Sequence, residues 1–240
     1  MEILFFGSRG PLAKLLQKTL SRLGYYAGEI DGIFGEQTEE AVKQFQQDNQ
    51  IPPTGIVWPQ TWDALAPALL RYSNYTVQAG DTLYKIAEEN DISVRALAAA
   101  NPDVDAQNLA VGTVLTVPTD ESVIDSDIEY SYDIMYLNLR ALKIRYPFIE
   151  IFSAGRSALN QEIYGARLGQ GDISVLYNAS HHANEWITTP VLMKFLEDFA
   201  GNYLEGLSIY GRDARALYER VTLSLVPMVN PDGVDLVTGQ

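Results

Sequence analysis

Two polar stretches divide this chain and restrict the folds that it can adopt. Residues 71–74 and the acidic segment 119–127 interrupt a sequence that otherwise repeats apolar residues with helical or strand spacing. Because joints short of apolar anchors rarely carry a continuous core, the pattern predicts separate units at 1–70, 75–118 and 128–240, flexibly joined. A hydrophobic fraction of 47% over 240 residues is ample for folded cores.

The charge balance limits the partners. The chain has 31 acidic and 17 basic residues, a formal net charge of -14. Nucleic acid and anionic membranes both attract a basic surface, so neither is expected as a partner. No run approaches the roughly 18 apolar residues of a membrane-spanning helix, and residues 1–7 do not have the basic start and apolar core of a signal peptide. The absence of cysteine excludes disulfides and cysteine-ligated zinc.

A small three-helix bundle is predicted for the first unit. Pro11 suits a first helical position and Gly24 suits the residue after a helix end. The segment Asp31-Gly32-Ile33-Phe34-Gly35-Glu36-Gln37-Thr38 is echoed by Thr54-Gly55-Ile56-Val57-Trp58-Pro59-Gln60-Thr61, and each copy is a turn that leads into a helix. Apolar residues recur at helical spacing: Leu12, Leu15, Leu16, Leu20 and Leu23, then Ala41, Val42 and Phe45.

Short motifs run through the whole of this unit. They are Leu16-Gln17, Gly24-Tyr25, Asp31-Gly32-x-Phe34-Gly35, Thr38, Ala41-Val42 and Phe45-Gln46. Together they resemble the three-helix peptidoglycan-binding domain found beside bacterial wall hydrolases. The alternative is that these residues only build a small bundle, which for most of them is also true.

The second unit has a predicted strand, helix, helix, strand order. Tyr75-Thr76-Val77 is a strand, Gly80-Asp81-Thr82 turns into a helix, Ser93 caps a second helix, and 113–117 is the closing strand. The segments Tyr-Thr-Val-Gln-Ala-Gly-Asp-Thr-Leu and Leu-Ala-Val-Gly-Thr-Val-Leu-Thr-Val-Pro resemble a βααβ LysM module. The resemblance implies a shallow groove for N-acetylglucosamine-containing glycan at two loops, formed by Gly80, Asp81, Thr82, Leu83, Asn108 and Leu109. The alternative for Asp81 and Thr82 is that they only cap a helix.

The third unit is predicted to be an α/β domain with a mixed sheet. Helical patterns at 132–146 and after Thr189-Pro190 flank strands at 148–153, 162–168 and 222–225. A tight turn at 169–172 leads into a short buried strand at 175–179, and Asn230-Pro231-Asp232-Gly233 has the composition of a type I turn.

The only two histidines of the chain, His181 and His182, follow that buried strand on a strand-to-helix turn. Ligands usually bind at such turns in open α/β sheets. His182 and Glu185 stand three residues apart and can hold one zinc ion, which accepts nitrogen and oxygen ligands together. The spacing alone is weak, since roughly one histidine in ten or fifteen has it by chance. His181 should point to the opposite face of the strand and support the structure.

The segment Ser180-His181-His182-Ala183-Asn184-Glu185-Trp186 resembles the metal-binding segment of the zinc carboxypeptidases related to carboxypeptidase A. Gly155-Arg156-Ser157, Ile163-Tyr164 and Asn230-Pro231-Asp232-Gly233 follow the order of that family's landmarks over 128–240. The resemblance implies that His182 and Glu185 are two of three zinc ligands. Asn184 falls where carboxypeptidase A has a substrate-contacting arginine, so a simple preference for C-terminal carboxylates is in doubt. Relatives that cut the stem peptides of bacterial walls, such as γ-D-glutamyl-L-diamino acid endopeptidases, are the better analogy.

In that family the third ligand, the general base and the carboxylate-binding arginine lie further along the sequence, so the zinc domain here is expected to be incomplete and Gln240 to be a truncation. No catalytic residue is therefore assigned, and whether this chain is itself an enzyme stays open. The expected function is a peptidoglycan-binding zinc metallopeptidase that hydrolyses stem peptides, or a truncated form of one. It would act at the cell wall, outside the cell or in a spore compartment. The alternative is a non-catalytic wall-binding protein with a vestigial peptidase domain.

Overall fold

The computed structural model describes residues 1–239, and it confirms a multidomain chain with a helical amino-terminal region and a mixed-sheet domain. Gln240, the expected truncation point, lies outside the described residues. The amino-terminal region contains three helices, α1 (Pro11–Arg22), α2 (Glu36–Asp48) and α3 (Pro59–Leu69). Leu12, Leu16 and Leu20 of α1 are buried as the spacing predicts. Leu23 is not, because α1 ends at Arg22 and leaves Leu23 41% exposed.

The internal repeat has a structural cause that the sequence did not reveal. Gln17 and Gln46 are fully buried, and their side chains make equivalent bonds in the two copies. The Gln17 Oε1 atom accepts from the Gly32 backbone N–H (2.8 Å), and Gln46 Oε1 accepts from that of Gly55 (3.0 Å). Each side-chain amide also donates within its own copy, to the carbonyl oxygens of Ile33 and Ile56 and to the hydroxyls of Thr38 and Thr61. Each glutamine thus satisfies the backbone of one turn.

Replacement of Gln46 by leucine is expected to destabilise the protein by about 1–3 kcal/mol, because the Gly55 N–H and the Ile56 carbonyl lose their buried partner. Urea unfolding would measure this. The matched control is Gln47→Leu, an exposed position on the same helix, which should change stability by less than about 0.5 kcal/mol. Equal effects of the two variants would contradict the role given to Gln46.

The second unit consists of β1 (Tyr72–Thr76), α4 (Leu83–Glu89), α5 (Val94–Ala100) and β2 (Val114–Pro118), with the two strands antiparallel. Its buried apolar residues form a small core of their own, while Ser93 and Arg95 bond to Glu205 of the third unit. The polar stretch 71–74, predicted to be a linker, is mostly part of a strand. Tyr72 pairs with Pro118 and Asn74 with Thr116, so most of this polar stretch is strand. Exposed polar residues are compatible with a two-stranded sheet that has one open face.

The third unit begins with α6 (Tyr132–Arg145) and continues with β3 (Glu150–Arg156), β4 (Glu162–Leu168) and β5 (Ile173–Asn178). After α7 (Thr188–Glu205) come the short strands β6 (Ser208–Ile209) and β7 (Arg212–Asp213), then α8 (Ala214–Arg220), β8 (Val221–Val226) and α9 (Pro231–Thr238). The main sheet has the order β3-β4-β8-β5. Strands β5 and β8 are parallel and the other pairs are antiparallel, so the sheet is mixed, as expected.

The prediction that the histidine strand is buried is wrong. Strand β5 pairs with β8 alone among the described residues, and Ile173, Leu176 and Tyr177 are 51%, 61% and 50% exposed. An apolar run indicates burial only when the strand has neighbours on both sides and covered faces. Here the run forms an open sheet edge.

The expectation of a free linker at 119–127 is also wrong. Val123 and Ile124 are buried, at 3% and 8% exposure, and one continuous core includes them together with residues of the first and third units. On the first unit, Lys18 lies 2.6 Å from the Asp125 carboxylate and also pairs with Asp127. The acidic residues that made this segment look like a solvated linker are partly used in these contacts.

Candidate metal and wall-binding sites

The histidine turn lies where the parallel strands β5 and β8 both end. Ala179 continues the pairing through its N–H to the Val226 carbonyl oxygen (3.0 Å), and Ser180 then adopts a left-handed backbone conformation with φ of 52°. That conformation is uncommon for a residue other than glycine and turns the chain away from the sheet. The position at the carboxyl end of the strands agrees with the predicted site.

His181 does not lie on the strand, so the argument from alternating strand faces was wrong for it. Strand β5 stops at Asn178, and both histidines belong to the following loop. The His181 Nε2 atom is 2.8 Å from Oδ1 of Asn178, and the side chain is otherwise exposed. This bond agrees with a supporting role, which remains a prediction.

The structure brings the two predicted metal ligands together. His182 Nδ1 lies 3.0 Å from Glu185 Oε1. The cause is local: Ala183–Glu185 forms a 3₁₀ turn, in which side chains three residues apart lie one above the other. Both side chains are accessible, at 75% and 48% exposure. Asn184, the predicted substrate contact, is exposed on the same turn.

The pair fits part of a zinc site. Two donor atoms bound to one tetrahedral zinc ion lie roughly 3.3 Å apart, close to the 3.0 Å observed. An imidazole nitrogen and a carboxylate oxygen also form a usual zinc donor set. Within residues 1–239, however, no three histidine, cysteine, aspartate or glutamate side chains are grouped to hold a metal ion. The described part of the chain therefore offers two donors.

A hydroxyl cluster that the sequence analysis missed fixes this turn. Ser180 Oγ lies 2.7 Å from Thr189 Oγ1, which donates to the Pro227 carbonyl oxygen (2.6 Å). Thr188 accepts from the Ser180 N–H (2.9 Å) and donates to the Glu185 carbonyl oxygen (2.8 Å). Helix α7 accordingly starts at Thr188, so Thr189 is not its cap and Pro190 is not its first residue. Threonines just before a helical run were the available signal for such bonds.

Asn230-Pro231-Asp232-Gly233 begins α9 and is not an isolated type I turn, since Pro231 occupies the first helical position. Asn230 Oδ1 accepts from the Gly233 N–H (3.1 Å), and its Nδ2 donates to the His181 carbonyl oxygen (3.2 Å). Asp232 accepts from the Ser157 hydroxyl (2.6 Å). This segment therefore joins Ser157 to the histidine turn.

Asn230→Ala is expected to destabilise the protein by about 1–2 kcal/mol, since it removes both a helix cap and the bond to the histidine turn. Thermal unfolding would measure the change in stability. NMR shifts of the two histidine rings would show whether the turn moves. Asn230→Ser can keep the cap but cannot reach His181, so it should restore stability and leave the ring shifts altered. Unaltered ring shifts in both variants would contradict this account.

The residues predicted to bind glycan in the second unit differ in exposure and in the bonds that they make. The Asp81 carboxylate accepts from the Gln78 N–H and the Tyr75 hydroxyl, both at 2.8 Å, and these bonds lower the pKa of Asp81. Thr82 caps α4 and Leu83 is buried. Gly80 and Asn108 are exposed, and Leu109 packs partly against the unit's core. Thr82 is thus a helix cap, as the alternative expected, whereas Asp81 bonds to the preceding turn and not to the backbone N–H groups at the start of α4. Glycan binding at these loops remains a prediction.

Family models match three consecutive parts of the chain. Residues 9–65 match "Putative peptidoglycan binding domain", 75–118 match "LysM domain", and 135–240 match "Zinc carboxypeptidase". The class of the protein is therefore a multidomain one, in which two segments that match wall-binding families precede a segment that matches a peptidase family. The chain carries a peptidoglycan-binding domain, a LysM domain and a zinc carboxypeptidase domain, as the sequence motifs indicated.

Individual proteins resemble parts of the chain. Gamma-D-glutamyl-L-diamino acid endopeptidase 1 of Lysinibacillus sphaericus is 43% identical over 115 residues, 48% of this chain and 29% of that protein. A spore cortex-lytic enzyme of Bacillus cereus is 31% identical over 84 residues, 35% of this chain and 32% of that protein. Bovine thrombin-activatable fibrinolysis inhibitor is a solved structure with 20% identity, a TM-score of 0.39, and coverage of 47% of this chain and 34% of its own. The chain spans about a third of the length of the curated relatives it matches.

The structure also bears on the expectation about membranes. In residues 1–239, none of the helices combines the length and the hydropathy needed to cross a bilayer.

Proposed function

We propose that this protein binds peptidoglycan through its first two units and that its third unit is a zinc-peptidase segment directed at stem peptides. The observation that carries the proposal is the joining, in one chain, of two wall-binding family matches to a zinc carboxypeptidase match whose predicted ligands lie 3.0 Å apart. The three-helix bundle and the βααβ module are the proposed binding units.

His182 and Glu185 are the proposed zinc ligands. The chemistry that zinc would supply there is polarisation of a scissile carbonyl and activation of water. The chain's own residues orient the pair: the 3₁₀ turn places the two side chains together, and Asn230 and Thr188 hold the turn's carbonyl groups. Asn184, exposed between them, is the proposed substrate contact.

The binding units would keep the peptidase segment on an insoluble substrate. Tethering raises the local substrate concentration without any new catalytic contact, so weak glycan affinity is sufficient. Gly80, Asn108 and the neighbouring loop residues are the proposed contacts to N-acetylglucosamine, through backbone groups and short polar side chains that suit an acetamido group. The name of the Lysinibacillus relative suggests the γ-D-glutamyl-L-diamino acid bond as the one cut. The proposed place of action is the cell wall or the extracellular space.

Zinc binding tests the ligand assignment directly. Because the described residues supply two donors, we expect weak binding by the wild-type chain, and His182→Ala should weaken it by at least roughly tenfold. His181→Ala is the matched control, since it removes the neighbouring imidazole and should leave zinc affinity nearly unchanged. Calorimetric titration measures both. A stoichiometric site of sub-micromolar affinity in the wild type would contradict the two-donor account, and an equal loss in both variants would contradict the choice of His182.

A wall-digestion assay separates the peptidase from the alternative, a wall-binding protein with a vestigial peptidase domain. The assay incubates zinc-loaded protein with purified sacculi and measures released stem-peptide fragments. Zinc-dependent release that Glu185→Gln abolishes supports the peptidase. Sacculus binding without release supports the alternative, and release that does not depend on metal contradicts the zinc chemistry.

A further inference from the structure

A cleft of about 540 Å³ lies where the first unit, the second unit and the 119–127 segment meet. Arg22 at the end of α1 and Arg71, which directly precedes β1, both line it. Ligand sites occur preferentially at such junctions between units. None of the family matches assigns a function to this place, and Arg71 lies outside all three matched segments.

The cleft brings two basic side chains together with one acidic side chain, Glu121. Only 17 of the 240 residues are basic, against 31 acidic ones, yet two guanidinium groups are placed together here. Burial, and then the positive charge of Arg71, lower the pKa of Arg22, and the negative charges of Glu121 and Asp125 only partly offset them. Two like charges brought together are unfavourable for folding, so their placement needs a compensating partner.

The two arginines are not equally neutralised by the protein. Arg71 pairs with Glu121, whose side chain is 61% exposed. Arg22 donates to the Ala68 carbonyl oxygen at 3.1 Å, and no carboxylate within residues 1–239 reaches it at salt-bridge distance. Part of its fork of donors is therefore free to bind an anion, and a guanidinium binds a carboxylate through two parallel bonds.

The backbone at Arg71 is unusual. Its φ is 59°, in the left-handed region, which costs a non-glycine residue free energy. The bond from the Thr119 N–H to the Arg71 carbonyl oxygen (2.9 Å) holds this conformation and ties the cleft's two sides together. The strained residue thus directs its side chain into the junction where Arg22 lies.

The remaining walls indicate the kind of anion. Leu23 is 41% exposed, and Pro67 and the Tyr72 ring add apolar surface. Ser73 and Asn74 supply a hydroxyl and an amide, which match peptide N–H and C=O groups. A free phosphate would use the arginines but leave these walls without contacts. A short peptide with a free carboxylate uses all three kinds of surface.

We propose that this cleft binds the carboxylates of acidic peptides, and specifically those of peptidoglycan stem peptides. Anion binding follows from the arginines and the walls alone, whereas the assignment to stem peptides rests on the proposed function. The cleft would recognise the peptide part of the wall while the LysM loops contact glycan. It is separate from the His182–Glu185 pair.

The test measures binding of the complete 240-residue chain to a soluble stem-tripeptide fragment of peptidoglycan, with free carboxylates and without the disaccharide, which the LysM loops would also bind. We expect saturable binding that weakens with added salt, and a loss of roughly tenfold or more in Arg22→Gln and in Arg71→Gln. Arg212→Gln, an exposed arginine in β7, is the control with the same change in net charge and should bind like the wild type. Circular dichroism verifies the fold of each variant.

Measurements on the wild type alone keep the proposal testable if a variant does not fold. The same fragment with its carboxylates amidated should bind at least tenfold more weakly. Equal binding of the amidated fragment, or an equal loss in Arg212→Gln, would overturn the proposal. Tighter binding of polyglycerol phosphate than of the carboxylate fragment would show a phosphate site and would overturn it too. If the chain binds sacculi but not the fragment, the cleft proposal is refuted and the proposed function stands. If it binds the fragment but not sacculi, wall binding is refuted and the cleft proposal stands.

Discussion

The variant Glu197→Ala is expected to lose about 3–5 kcal/mol of unfolding free energy, because it leaves the buried Arg145 without its acidic partner. Glu197, on α7, is 5% exposed. Its Oε1 atom lies 3.5 Å from Arg145 Nη1, and Arg145 is itself 8% exposed. Removing one member of a buried pair leaves an uncompensated charge, which costs more than the pair itself contributes.

The same carboxylate holds the 119–127 segment in place. It accepts from the Val123 N–H (2.7 Å) and from the Ser122 hydroxyl (2.5 Å), and Val123 and Ile124 are buried beside it. Glu197→Ala should therefore release this segment as well as lower stability. The first and third units share their core through these residues, so both should be affected.

Denaturant unfolding measures the loss in Glu197→Ala, and limited proteolysis detects the freed segment as a cut within residues 119–127. The control is Asp198→Ala. Asp198 is the next residue on α7, is 39% exposed and pairs with Lys194 at the surface, so its loss should cost under about 1 kcal/mol. If Glu197→Ala and Asp198→Ala were equally stable and equally resistant to protease, the anchoring role would be wrong.

Local signals in the sequence predicted most of the elements. Pro11 does begin α1, Gly24 follows its end with φ of 82°, and Thr82 and Ser93 do cap α4 and α5. These predictions succeeded because capping and turn residues act within a few positions of themselves. The βααβ order and the mixed sheet follow from such signals together with apolar spacing.

Contacts between distant segments were not predictable in this way. Glu197 binds Val123 across 74 positions, and nothing within 119–127 marks that partner. A run of acidic residues indicates a solvated linker unless basic residues that pair with it are known. Asp125 and Asp127 pair with Lys18, which is more than 100 residues away in the sequence. The docking of the linker therefore needed the structure.

The candidate metal pair was predicted by type and spacing, but its support was not. His182 and Glu185 could be named because a 3₁₀ or helical turn places residues three apart on one side. Asn230 and Thr189 reach the turn from other elements, and their bonds depend on tertiary packing. The exposure of β5 was also missed, because strand burial depends on which neighbours a strand has.

Substitution of Gly171 by alanine is expected to destabilise the protein by at least about 3 kcal/mol, because the added carbon has no space. A Cβ at this position would lie 1.8 Å from the Arg220 carbonyl carbon and 2.2 Å from its oxygen. These are backbone atoms at the end of α8, so no side-chain rotation can relieve the overlap. The Thr222 hydroxyl donates to the Gly171 carbonyl oxygen (2.6 Å) and holds the two backbones together.

The effect should reach the histidine turn. Gly171 lies two residues before β5, and β5 pairs through its whole length with β8, which starts at Val221. Moving the two backbones apart at Gly171 must therefore disturb the start of the strand pair whose other end carries His182. The matched control is Gly35→Ala: Gly35 has an ordinary φ of -95° and nothing lies within 4 Å of its added carbon.

Thermal unfolding and the NMR shifts of the two histidine rings measure both consequences. Gly171→Ala should lower the melting temperature by several degrees more than Gly35→Ala and shift the ring resonances, which Gly35→Ala should leave in place. If Gly171→Ala melted at as high a temperature as Gly35→Ala, the turn that contains Gly171 would be able to move aside without loss of stability. The close backbone approach at Gly171 would then not be what fixes β5 on β8.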